Sequence, residues 1–96
     1  MSQQERNKAF TATVHGMVQG VGFRYYARSM AHRLGVRGYV QNMPDGSVKI
    51  VCEGARAAVD EMERWLRQGP PSARVSYVDI THHPATGGYP TFTVEF

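Results

Sequence analysis

The sequence has one cysteine, Cys52, two lysines, and no apolar run of membrane-spanning length. A lone thiol cannot close an internal disulfide, and it removes every multi-cysteine zinc or iron–sulfur site. A membrane helix needs ~18 apolar residues in sequence, so no span is expected. Residues 1–8 are polar, without the apolar stretch of a secretory signal. These absences lead us to expect a cytoplasmic protein. No block of five basic residues exists, and a net charge of +3 only mildly favours anionic partners. Internal repeats, low-complexity segments and dividing linkers are absent as well. What is present is the balance of a globular chain, 42% hydrophobic against 20% charged. We expect a polar, flexible tail over residues 1–7 and a single domain over 8–96.

Hydrophobic spacing outlines the elements. From Lys8 to His15, Phe10, Ala12 and Val14 alternate with Thr11, Thr13 and His15, the period of a half-buried strand. A helix over 22–34 follows, with Phe23, Tyr26, Ala27, Met30 and Leu34 as its expected apolar face and Gly35 as its stop. Val36–Gln41 and Ser47–Glu53 read as strands joined by the turn Asn42-Met43-Pro44-Asp45-Gly46. Val48, Ile50 and Cys52 share the inner side of the second, so Cys52 is expected to be a small buried hydrophobe. A second helix, Ala55–Gln68, turns Val59, Met62 and Leu66 inward and ends at Gly69-Pro70-Pro71. Arg74–Thr81 is a fourth strand. A loop over 82–90 leads to a last short strand with Phe92, Val94 and Phe96 alternating.

The order is βαββαβ plus a short terminal strand. Right-handed crossovers then place two helices on one face of an antiparallel sheet, the α+β, ferredoxin-like split βαβ sandwich. That fold carries many functions and selects none.

Chemistry concentrates after the first strand, in Gly16-Met17-Val18-Gln19-Gly20-Val21-Gly22-Phe23-Arg24. Three glycines in this stretch permit positive φ, so backbone N–H groups can turn inward as a nest. The loop opens into a helix whose first N–H groups are unpaired and whose dipole is positive there. Together these make an anion site suited to phosphate, with a plain glycine-rich turn as the alternative. Arg24 sits in the first helical turn, where a cation is disfavoured by roughly 0.3–1 kcal/mol. An anion held between its fork and the loop amides would explain it; pairing with a surface carboxylate is the other reading. The Gly-Lys-Ser/Thr ending of a nucleotide loop and the spacing of a dinucleotide fingerprint are both missing.

Asn42 ends the second strand, parallel to the first in this topology with one strand between. It therefore emerges beside the glycine loop, where its amide could orient a water or simply start a turn. The four histidines offer no convergent metal site: His82 and His83 are adjacent, His32 is on a helix, and His15 ends a strand. Tyr25 faces away from the apolar stripe and either borders the site or is plain surface.

Two segments carry a family resemblance. Val14-His15-Gly16-Met17-Val18-Gln19-Gly20-Val21-Gly22-Phe23-Arg24 and Gly38-Tyr39-Val40-Gln41-Asn42-Met43-Pro44-Asp45-Gly46-Ser47-Val48 resemble the two signatures of acylphosphatases, with Gly54 and Gly69-Pro70 as further landmarks. The resemblance covers about residues 8–96. It implies a small, metal-independent, cofactor-free hydrolase that splits acyl phosphates into a carboxylate and inorganic phosphate. It also implies that Arg24 binds phosphate, Asn42 orients the water, and the amides of Gln19, Gly20, Val21, Gly22 and Phe23 cradle the phosphoryl group. The expected partner is a small acyl phosphate, with no nucleic acid or membrane, and the expected state is a monomer. RNA-recognition domains share the element order but stack bases on sheet aromatics, and Thr11, Thr13, His15, Ser47, Lys49, Val51 and Glu53 make no such platform. A third reading is an acylphosphatase-like module serving a larger carbamoyl-transfer machine.

Overall fold

A computed structural model describes residues 7–96. The elements are β1 (Asn7–Met17), α1 (Phe23–Leu34), β2 (Arg37–Asn42), β3 (Val48–Ala55), α2 (Arg56–Gln68), β4 (Arg74–His83) and β5 (Phe92–Glu95). The sheet order is β4-β1-β3-β2-β5, with both helices packed on one face. β1 runs antiparallel to β3 and β4, and β3 antiparallel to β2. β5 joins the far edge parallel to β2, so the five-stranded sheet is mixed. The expected tail lies outside the described residues apart from Asn7, which begins β1. Among the described residues no helix is long and apolar enough to cross a membrane.

Alternation in the strands decides which side chains meet the helices. Phe10, Ala12 and Val14 of β1 and Val48, Ile50 and Cys52 of β3 are buried against Val59, Met62 and Leu66 of α2. On α1 the core face differs from the expected one: Phe23, Ala27 and Ala31 are buried, whereas Tyr26 is 51% exposed. Behind Phe23, the alanines at i+4 and i+8 let α1 sit close to its neighbours, while Tyr26 folds its ring back toward Gly22. Trp65 is half-buried and packs obliquely on Phe23, with centroids 5.5 Å apart.

β4 extends to His83, so both His82 and His83 belong to a strand and not to the loop. The two point to opposite faces: His82 Nε2 meets Glu63 of α2 at 2.8 Å, and His83 Nε2 meets Thr11 Oγ1 at 3.0 Å. His32 on α1 reaches the Phe92 carbonyl at 3.0 Å. Residues 84–91 then connect the β4 edge to the β5 edge, with Tyr89 packed against Tyr39 on the way.

The end of β1 is bent by design of its backbone. The pairing register with β4 shifts between His15 and Gly16, a β-bulge, and Gly16 has φ +132°. A Cβ there would stand 2.1 Å from the Arg74 carbonyl oxygen. Only glycine allows that approach, and the bulge aims the chain into the loop that precedes α1.

Candidate active site

The loop over residues 18–22 is pinned on three sides. Val18 is buried in the core. The Gln19 carboxamide donates to the carbonyls of Met43 (2.8 Å) and Ser47 (2.9 Å) in the β2–β3 turn. The Val21 carbonyl accepts from Ser72 Oγ at 2.9 Å. Gly20 and Gly22 take φ of 75° and 77°, left-handed values that turn successive N–H groups outward. Helical bonding starts at the Gly22 carbonyl, which accepts from the N–H of Tyr25 and Tyr26. Gly22 caps the helix without a side-chain bond, and the first turn holds no acid. Among the described residues, the amides of residues 19–24 thus have no backbone acceptor, and they sit at the positive end of α1.

Arg24 rises from that first turn. Its guanidinium lies 4.8 Å from the centre of the Phe96 ring, and Nη1 donates to the Glu95 carbonyl at 3.3 Å. No carboxylate pairs with it among the described residues. Asn42, at the end of β2, faces the same place. A cleft of about 230 Å³ is lined by Val18, Gly20, Gly22, Phe23, Arg24, Tyr25 and Asn42. Five of the seven residues expected at the site are Gly20, Gly22, Phe23, Arg24 and Asn42, and all five line it. Gln19 and Val21 do not; the Gln19 carboxamide and the Val21 carbonyl tie the loop down from outside the cleft.

The turn after Asn42 is closed by Asp45. Its Oδ1 accepts from the Ser47 N–H (3.0 Å) and Ser47 Oγ (2.6 Å), and these bonds hold its carboxyl below the usual value. Asn42 is therefore not spent on the turn, and its amide makes no hydrogen bond among the described residues. Tyr25, open in the sequence reading between surface and site, lines the cleft and stacks under Arg28 at 5.5 Å. Sequence reasoning missed the side-chain role of Gln19, for which spacing alone holds no signal. Among the described residues no three His, Cys, Asp or Glu side chains cluster as metal ligands.

Comparison with known proteins gives a consistent picture. A model of the acylphosphatase family matches residues 10–94. An acylphosphatase of Rubrobacter xylanophilus is 48% identical over 98% of this chain and 86% of its own. The structure of an acylphosphatase from Coxiella burnetii superposes with a TM-score of 0.89 at 36% identity, covering 99% of this chain and 100% of that one. HypF from T. kodakarensis also contains the fold, with a TM-score of 0.79 and 33% identity, over 93% of this chain but 12% of HypF.

Proposed function

The chain belongs to the acylphosphatase family, and from that premise we propose which of its groups act. It hydrolyses acyl phosphates to a carboxylate and inorganic phosphate. In our reading the amides of Gln19 to Phe23 and the fork of Arg24 bind the phosphoryl oxygens, and Asn42 orients the attacking water. The observation that carries this is convergence: amides, an arginine and a carboxamide that lack, among the described residues, a backbone acceptor, a carboxylate and a hydrogen-bond partner respectively border one small cleft.

The chemistry suits so few groups. The leaving group is a carboxylate with a pKa near ~4, so it departs without a proton from a general acid. What remains is to neutralise the phosphoryl charge and to place a water in line, which are tasks of positioning and electrostatics. Fixed amides at the α1 N-terminus and the Arg24 fork meet the first need without reorganisation. The Asn42 carbonyl accepts from the water and directs a lone pair at phosphorus. An amide is too weak a base to keep the proton, so a phosphoryl oxygen of the substrate takes it as the P–O bond to the acyl group breaks. No side chain then titrates in the rate, and kcat/KM is expected to stay flat from pH 5 to 7.5; a single essential base near ~6.5 contradicts this.

The test is hydrolysis of an aryl acyl phosphate, with excess chelator, by the wild type and by Arg24→Ala. We expect wild-type turnover and a loss of at least about 10²–10³ in the variant. Half-retained activity in Arg24→Ala removes the assignment. The proposal extends to a cytosolic monomer, for which sedimentation at micromolar concentration is the check. Turnover of free substrate also separates this reading from a module that acts only within a larger machine.

A further inference from the structure

We propose that Glu53 is a positioning residue for Arg24, acting through the 84–91 strap that leads into β5; the inference rests on the reading of Arg24 as phosphate ligand. Glu53 lies on the central strand, opposite Ala9 of β1 and Arg37 of β2, and it is fully buried. A carboxylate in that place is costly unless its oxygens are satisfied. Oε2 accepts from the Thr86 N–H (3.1 Å) and the Thr86 hydroxyl (3.0 Å), and Oε1 accepts from the Gly87 N–H (2.7 Å). The Thr86 hydroxyl itself accepts from the Gly88 N–H at 3.1 Å, which commits its proton to Glu53. Every hydrogen-bond partner of the carboxylate among the described residues is a donor. An ionised glutamate fits, and an amide of the same shape does not.

The latched segment leads to the site. Past Gly88, Tyr89 packs on Tyr39 and the Thr91 carbonyl accepts from the Gly38 N–H at 3.0 Å. β5 is only four residues long and lies parallel to one neighbour at the sheet edge, so its own ladder holds it weakly. Its last residue and the one after it supply the contacts of the Arg24 guanidinium among the described residues, the Glu95 carbonyl and the Phe96 ring. Glu53 thus fixes where the strap crosses the sheet, the strap fixes β5, and β5 holds the guanidinium over the cleft.

Inorganic phosphate is the probe, as a competitive inhibitor of aryl acyl phosphate hydrolysis, on variants shown to be folded by circular dichroism. Glu53→Gln sets a donor against a donor, and Thr86→Val is the milder break that leaves Glu53 in place. Both are expected to raise Ki and KM together, by roughly three- to tenfold, the worth of one or two such contacts. Asp60→Asn, which breaks the 2.8 Å pair with Lys8 away from the strap, is expected to lower stability and leave Ki unchanged. Combining Glu53→Gln with Phe96→Ala should raise Ki no further than the stronger single change, because both act along one route. Unchanged Ki in folded Glu53→Gln and Thr86→Val, or additive effects in the double variant, overturns the proposal. Arg24→Gln is assayed alongside. Wild-type phosphate binding there defeats the reading of Arg24 and the inference with it, whereas lost binding there with none lost in the strap variants defeats the strap alone.

Discussion

Gln19 joins the two halves of the site with one side chain. Its amide nitrogen donates to two carbonyls of the turn that follows Asn42, so the glycine loop and Asn42 share a fixed spacing. Gln19→Ala removes both bonds and leaves the loop amides in place. We expect kcat to fall roughly tenfold while the Ki of phosphate changes little, since small misplacement of a reacting group is costly in rate. Steady-state kinetics with phosphate inhibition decides this, and a rise in Ki larger than the fall in kcat would contradict it. Asp45 shows the complementary division of labour. By closing the turn through Ser47 it releases Asn42, whose amide is left facing the cleft. Both reading frames for Asn42 were open in the sequence because Asn and Asp serve turns equally well.

At the scale of the element, the β1–loop–α1 unit depends on the bulge at Gly16. A side chain there would meet the Arg74 carbonyl oxygen at 2.1 Å and the Ser76 nitrogen at 2.7 Å, at a φ that L-residues rarely adopt. Gly16→Ala is expected to cost at least about 2 kcal/mol and to lower phosphate affinity with it, as the loop is re-aimed. Urea unfolding measures the first effect and phosphate inhibition the second. A variant of wild-type stability would show that the bulge relaxes freely. The helices follow a simpler rule. The buried face of α2 reads from sequence without error, because the row Val59, Met62 and Leu66 that meets the sheet is also its apolar row. α1 must face the sheet, α2 and the cleft at once, and there alanines displace the larger Tyr26.

For the whole molecule, acid stability rests on carboxylates held below their usual values. Burial pushes Glu53 up, but the N–H groups of Thr86 and Gly87, the Thr86 hydroxyl and the charge of Arg37 more than offset it. Burial likewise pushes Glu63 up, and His82 and Arg67 outweigh it; Asp60 is lowered chiefly by its bond to Lys8. Each group has a folded pKa below its unfolded one, so its stabilisation is complete above about pH 4.5 and is lost as pH falls through the folded value. Thermal melts should be level from pH 7 to about 5 and decline below about 4.5, with a shallower decline in Glu53→Gln. Cys52 gives a second global readout. Burial, aided by the neighbouring Glu53 charge, pushes its thiol up to about 12. Native protein should resist iodoacetamide at pH 8, and guanidinium-unfolded protein should react fully. Reaction of the native state at the unfolded rate would mean the core opens readily.

Local chemistry settled much of this protein in the sequence alone. Period-two and 3.6-residue spacing marked seven elements, because burial of one face imposes those periods on strand and helix. The glycines before Arg24 marked a loop of left-handed backbone leading into a helix N-terminus, because glycine takes positive φ without strain. Other decisions are long-range and leave no local trace. The parallel seat of β5, the strand character of His82 and His83, the Gln19 clamp and the Glu53 latch each join residues far apart in the chain. Such a periodicity describes how a segment faces its surroundings, not which surroundings it meets. Only packing the whole chain decides that Glu53 is satisfied by Thr86 and Gly87, and that Arg24 ends up beside Glu95 and Phe96.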